Sequence, residues 1–192
     1  MHLFEIIDQM SAQAEQGWGN TYYHVMPKLI KEREFKVGAE IGVAYGGHAV
    51  AMFKAGLERL YAVDPYQPDW SGTDGYTLPD GKTFGVKEYE ELYLHALHRL
   101  RKAENPIDLL RMTSHEAFAV VNEKLDFVFI DAKHTYENLY TDILLWKSLV
   151  RKGGIVAGHD YDHPSYPGIK QAVHAHFDKV NIEDGYVWWI EK

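Results

Sequence analysis

The sequence predicts an α/β fold: a mostly parallel seven-stranded sheet with helices on both faces and an antiparallel C-terminal hairpin. Three observations predict it. Short apolar runs alternate with helical periodicities along the 192 residues, and alternating β and α elements build parallel sheets covered on both sides. Runs such as 127–130 and 154–157 are apolar throughout, as strands buried on both faces are. Two final strands, 180–182 and 186–190, are joined through Glu183-Asp184-Gly185. So short a connection makes a hairpin rather than a crossover.

The elements follow in order. Residues 3–16 place Leu3, Ile6, Ile7 and Met10 on one helical face, ending near Gly17. A second helix over 22–34 is started or bent by Pro27, and the two form an N-terminal cap over 1–35. A strand at 36–41 leads through a glycine loop to a helix at 49–55, and a strand at 60–63 ends at Asp64-Pro65. Residues 66–85 are rich in Gly, Pro, Asp and Thr and read as a long loop. Helix 86–102 stacks Leu92, Ala96 and Leu100, and strand 107–110 follows. Thr113 or Ser114, followed by Glu116, caps the next helix. Strand 125–130, helix 136–150, a Gly153-Gly154 turn, strand 154–157 and helix 168–177 complete the series. Repeats, low-complexity tracts and linkers are missing, so residues 1–192 are expected to form one domain.

A formal charge of −8 argues against nucleic acid as the main partner. The chain has no cysteine, which excludes thiolate chemistry. Its first ten residues lack the basic region of a signal peptide, and no run approaches the roughly 18 apolar residues of a membrane span. The expectation is a cytoplasmic protein acting on a small molecule, as a monomer or a homo-oligomer.

Two constellations carry chemistry. Glu40-Ile41-Gly42-Val43-Ala44-Tyr45-Gly46-Gly47-His48 lies between a strand and a helix, where glycine permits a tight turn and close approach of a ligand to the backbone. Asp64 ends the next strand, about twenty residues on, where a carboxylate can accept ribose hydroxyls. Ala44 replaces the second glycine of a dinucleotide fingerprint, so a pyrophosphate cofactor is disfavoured. The second constellation is Asp131, His134, His159 and Asp160 at two strand ends. Parallel strands bring their carboxyl ends to one edge, the ligand-binding edge of such sheets. Carboxylates and imidazoles there suit a divalent metal, Mg²⁺ or Mn²⁺, and proton transfer.

The motifs EIGVAYGGHA, AVDPY, LRMTSHEAF and FVFIDAKHTYE resemble those of class I S-adenosylmethionine-dependent methyltransferases. The resemblance covers roughly residues 35–192 and is strongest to macrocin-type small-molecule O-methyltransferases, with catechol O-methyltransferase more distant. It implies a Rossmann-like methyltransferase sandwich. It also implies that Glu40, Gly42 and Ala44 surround the methionine part of S-adenosyl-L-methionine, with Gly46 and Gly47 completing the groove and Asp131 bordering it. Asp64 would hold the ribose, and Ser114 with His115 the adenine. Asp131, His159 and Asp160 would bind the metal, and His134 would be the general base. Lys133 and His159 depart from the family pattern. Histidine favours Mn²⁺, Fe²⁺ or Zn²⁺ over Mg²⁺, or else His159 hydrogen-bonds a backbone carbonyl.

Three other readings stay open at this point. Asp160-Tyr161-Asp162 is a DxD sequence of the kind used by metal-dependent glycosyltransferases. Hydride transfer to NAD is a second reading, and a catalytically inactive binding protein is the third. Among the aromatic residues, Trp18, Tyr22, Tyr23, Trp70, Tyr76 and Tyr166 are expected to roof a pocket as a group, and at least one of Trp188 and Trp189 to be core.

Overall fold

Along the strand Leu125–Ile130, Phe127 and Phe129 turn to one face of the sheet and Val128 and Ile130 to the other, and all four are buried. A strand with two dry faces needs helices on both sides, and these are what the rest of the chain supplies. The computed structural model describes residues 2–68, 75–102 and 107–192. In chain order the helices are α1 (Leu3–Ala14), α2 (Val25–Glu32), α3 (Gly47–Phe53), α4 (Val86–Arg101), α5 (Ser114–Val120), α6 (Tyr136–Leu149) and α7 (Pro167–His176). The strands are β1 (Val37–Ile41), β2 (Arg59–Val63), β3 (Ile107–Leu110), β4 (Leu125–Ile130), β5 (Val150–Gly158), β6 (Asn181–Glu183) and β7 (Val187–Glu191).

The seven strands lie in the order β3-β2-β1-β4-β5-β7-β6. The first five are parallel, and β7 runs antiparallel between β5 and β6. One core joins Phe127, Phe129 and Ile155 to Ile7, Met26, Ile30, Met52 and Leu92, from α1 through α4. The other joins Val128, Ile130 and Val156 to Ala117, Ile143, Trp146 and Val173, from α5 through α7. Trp188 is fully buried in this second core, and Trp189 packs partly buried against the first. Removing one of these rings, as in Phe129→Ala, costs about 3–5 kcal/mol in a core this tight. Among the described residues, no helix is long and apolar enough to cross a membrane.

Two elements differ from the sequence expectation. The first helix does not stop near Gly17 but continues as a π-helical turn, Glu15–Gly19. Asn20 Nδ2 donates to the Gln16 carbonyl at 2.7 Å and Thr21 Oγ1 to the Trp18 carbonyl at 2.9 Å, the latter carbonyl also accepting from Tyr22 N at 3.0 Å, so side chains add to the bonds that hold the widened turn. Gly153-Gly154 is not a turn ahead of the strand but lies inside β5, where the pairing with β4 shifts register between Leu125 and Phe127. The backbone of Lys192 holds it there, accepting from Gly153 N at 2.7 Å and donating to Gly154 O at 2.9 Å. Within the 66–85 loop, Thr77 and Thr83 form a small antiparallel bridge; residues 69–74, Trp70 among them, lie outside the described residues.

Candidate active site

The glycine loop is pressed against the end of β4. Gly42 has φ +92°, and a Cβ there would sit 2.0 Å from the carbonyl oxygen of Asp131, so no other residue fits. Ala44 also adopts a left-handed backbone, and Gly46 caps α3 at φ +77°. Asp64 holds this loop in place. Its Oδ2 accepts from Val43 N at 3.0 Å and Ala44 N at 3.1 Å, and its Oδ1 from Tyr66 N at 2.9 Å. Burial pushes its carboxyl up against the pull of those three N–H groups. Asp64 thus spends most of its acceptor capacity on backbone, which the sequence reading did not foresee.

Below the loop, Glu40 is 2% exposed, and its Oε1 lies 2.8 Å from His48 Nδ1. Burial raises the Glu40 carboxyl despite this partner. Glu40 Oε2 and His48 Nε2 are buried without a hydrogen-bond partner among the described residues. His48, not assigned a role from sequence, packs edge-on to Tyr22 and Phe129.

At the rim, β4 and β5 bring Asp131, His134, His159 and Asp160 together as expected. His134 Nε2 lies 2.8 Å from Asp160 Oδ2 and 3.4 Å from Asp131 Oδ1. His159 Nδ1 lies 3.2 Å from Asp160 Oδ2 and 3.7 Å from Asp131 Oδ1. Asp160 takes a left-handed backbone, φ +59°, at the end of β5, a conformation that aspartate tolerates better than most residues. Burial works to raise the Asp160 carboxyl, but the two imidazoles outweigh it and hold the group far below the usual carboxylate range. Asp131 is lowered in the same way, against its burial, chiefly by His134 and His159. For His159 burial acts to lower the imidazole, and Asp160 with Asp131 reverses this to a net rise. Tyr166 stacks on His134 at 4.4 Å, and Tyr22 on His159 at 4.0 Å.

Among the described residues, the set able to close around one ion is Asp131, His134 and Asp160, whose ligand atoms lie within 4.8 Å of one another. His134 takes the place in this set that the sequence reading gave to His159. Asp162 of the DxD sequence turns outward and pairs with Lys170 at 3.0 Å.

Another part of the cleft is built by α5 and α6. Thr113 caps α5 in a reciprocal box with Glu116. Ser114 Oγ donates to Asp142 Oδ1 at 2.5 Å and accepts from Trp146 Nε1 at 2.8 Å, while His115 is exposed beside it. Asp142 was missed from sequence, although a carboxylate on the face that buries Leu139, Ile143 and Trp146 was a readable signal. Glu40, Gly42, Ala44, Asp64, Ser114, His115, Asp131, His134, Asp142, His159 and Asp160 line one cleft of about 1140 Å³, together with Trp18, Tyr22, Tyr23, Tyr76 and Tyr166, whereas Gly46 and Gly47 are buried outside its lining. A smaller cavity of about 470 Å³ between α1 and α4 shares no lining residue with it.

A glycine loop after β1, an acidic end to β2 and a β5-β7-β6 antiparallel edge define the class I S-adenosylmethionine-dependent methyltransferase fold. Comparison with known proteins agrees. A family model described as a methyltransferase domain matches residues 39–161, and the chain belongs to that family. Among solved structures, an O-methyltransferase from Bacillus cereus in complex with SAH is 14% identical, with a TM-score of 0.57 over 99% of this chain and 90% of its own. CalS11, a calicheamicin methyltransferase, is 17% identical, with a TM-score of 0.62 over 88% of this chain and 76% of its own. An rRNA methylase from Streptococcus thermophilus is 14% identical, with a TM-score of 0.61 over 88% of this chain and 95% of its own. At such identities the likeness carries the fold alone, and it spans acceptors as different as RNA and small molecules. Among curated proteins none matches the chain.

Proposed function

We propose that this methyltransferase is an O-methyltransferase of the macrocin type, working as one domain on a small hydroxylated acceptor, with His134 as base and a divalent cation assisting. The observation that carries this reading is the convergence of Asp131, His134 and Asp160 on the rim beside the glycine loop.

The residues fit S-adenosylmethionine. Gly42 and Ala44 line the cleft, and the unpartnered Glu40 Oε2 suits an ammonium group. Asp64 keeps one acceptor position after its three backbone bonds. When bound, the cofactor supplies a sulfonium methyl that the acceptor oxygen takes as the thioether leaves. The carboxylates of Asp131 and Asp160 also fit a divalent cation such as Mg²⁺ or Mn²⁺. When bound, such an ion lowers the pKa of a hydroxyl that it holds.

His134 receives the acceptor's proton. The charge that its ring gains is stabilised by Asp160 at 2.8 Å and Asp131 at 3.4 Å, and Tyr166 fixes the ring plane. One nitrogen cannot be base and ligand at once, so the carboxylates are the ion's ligands in this reading. The aromatic residues around the cleft exclude water from the step.

Turnover of S-adenosylmethionine to S-adenosylhomocysteine against a panel of phenols, vicinal diols and sugars, with and without EDTA, tests the activity. His134→Gln then tests the role: a lost base lowers turnover by about 10²- to 10⁴-fold with Mn²⁺ affinity kept. Lost Mn²⁺ affinity would make His134 a ligand instead. Turnover on none of the panel, with methylation of RNA, would overturn the small-acceptor reading.

A further inference from the structure

Tyr186 sits in the turn Asp184–Tyr186 between β6 and β7 with φ +66°. For a bulky side chain this left-handed backbone is an outlier and costs free energy. Three contacts hold it there. Its carbonyl accepts from Tyr161 N at 3.0 Å, and the Gly185 carbonyl accepts from the His159 ring. Gly185 is also pressed against Tyr22, whose Cβ would lie 2.9 Å from a Cβ added at Gly185. The ring presented by this strained turn is not core, since Tyr186 is 45% exposed. It lines the cleft instead.

From Tyr186 a row of rings leads to the proposed base. Tyr186 stands edge-on to His163 at 5.1 Å, His163 stacks on Tyr166 at 5.2 Å, and Tyr166 stacks on His134 at 4.4 Å. All four line the cleft. Two polar groups beside the row are engaged elsewhere: His163 Nδ1 accepts from Ser165 N at 3.2 Å, and Asp162 pairs with Lys170 at 3.0 Å. Such a wall offers ring faces and edges, which match an aromatic body better than the many hydroxyls of a sugar. Resting on the proposed function, which puts the reacting hydroxyl at His134, we infer that Tyr186 is a specificity-determining residue that seats the distal ring of a two-ring phenolic acceptor. A single ring held by its hydroxyl at His134 ends short of Tyr186. A second ring continues along the row and covers the exposed Tyr186 side chain, so the strain serves binding and not the fold.

The test compares catechol with 4-phenylcatechol, which differ only in the distal ring, by calorimetry in the presence of S-adenosylhomocysteine and Mn²⁺. Glycine adopts a left-handed backbone freely, so Tyr186→Gly removes the ring without burdening the turn. The wild type should bind 4-phenylcatechol more tightly. Tyr186→Gly should reduce that preference by about 2- to 10-fold, the worth of one aromatic pair, with catechol affinity unchanged. A preference unchanged in the variant would overturn the assignment. So would equal weakening of both diols, which would make Tyr186 part of the fold alone. Equal binding of the two diols by the wild type would overturn it without any variant. Binding of S-adenosylhomocysteine but of neither diol would overturn the phenolic acceptor and leave the cofactor reading standing. Failure to bind S-adenosylhomocysteine would overturn the proposed function itself, and this inference with it.

Discussion

The phenol of Tyr22 donates to Oδ2 of Asp131 at 3.0 Å, which ties the N-terminal segment to the end of β4. The same ring lies over His159 at 4.0 Å with 25° between planes. Burial, and then the neighbouring Asp131 charge, hold the Tyr22 hydroxyl well above its ordinary range, so it is a donor at every working pH. Tyr22→Phe keeps the stack and removes the donor. Loss of such a supporting bond typically weakens metal affinity by about 10- to 100-fold. Titration with Mn²⁺ should show that drop while the melting temperature moves by only a few degrees. An unchanged Mn²⁺ affinity would mean that Asp131 is oriented without Tyr22.

Gly42 and Gly56 both have positive φ, but only Gly42 is crowded: a Cβ at Gly56 meets nothing within 4 Å. Gly56→Ala should therefore cost only the backbone term, about 1–2 kcal/mol. Gly42→Ala adds a collision with the Asp131 carbonyl and should cost clearly more, displacing the loop and the rim together. Urea unfolding of the two variants compares them directly, and equal losses would contradict the geometry.

Asp142 gives the protein an acid-favouring component of stability. Its carboxyl is raised to about 6 by burial, against the pull of Ser114 and His115, so the folded state holds the proton more tightly than the unfolded chain does. Stability should fall as pH rises from about 4 to about 6, by at most about 3 kcal/mol. Asp142→Asn lacks this component. Relative to the wild type it should gain stability between pH 4 and pH 6, as measured by urea melts across that range. A constant difference would show that the carboxyl titrates normally.

The rim pair behaves in the opposite sense at its acid end. Asp160 is depressed in the folded state, so its contribution is present above about pH 4, the unfolded value, and is lost as pH falls further. His159 is raised, so its contribution is present below about pH 6.5 and is lost as pH rises through the folded value. In metal-free protein Asp160→Asn should cost most between those limits, about 3–5 kcal/mol for breaking a buried pair. The loss should shrink on either side. A flat profile in chemical denaturation would argue that the two groups do not share charge.

The parallel sheet was legible because strands buried on both faces must be apolar throughout, as Phe127 to Ile130 are. The rim cluster was legible because Asp131 and Asp160 follow parallel strands that end on the same edge. What remained hidden depends on loop conformation rather than residue type. The backbone N–H groups of Val43 and Ala44 reach Asp64 only because Gly42 and Ala44 are left-handed. Spacing alone did not show that His134, rather than His159, joins Asp131 and Asp160 in the set whose ligand atoms lie within 4.8 Å of one another. The π-helical turn before Tyr22 has no sequence periodicity of its own, yet it precedes the residue that binds Asp131. Asp142 alone was readable and missed, being a charge on an otherwise apolar helix face.

The placement of β7 between β5 and β6 has a consequence for synthesis. As the chain emerges from the ribosome, β6 comes out before the strand that links it to the sheet. Until β7 follows, the Ile155–Gly158 flank of β5, which pairs with it, is an open apolar edge able to recruit other nascent chains. Vectorial folding can therefore assemble the β1–β5 half early, but the last vulnerable edge is sealed only when Val187–Glu191 arrives. Stalling translation between these strands should yield aggregates, whereas stalling after β7 should yield soluble, protease-resistant protein.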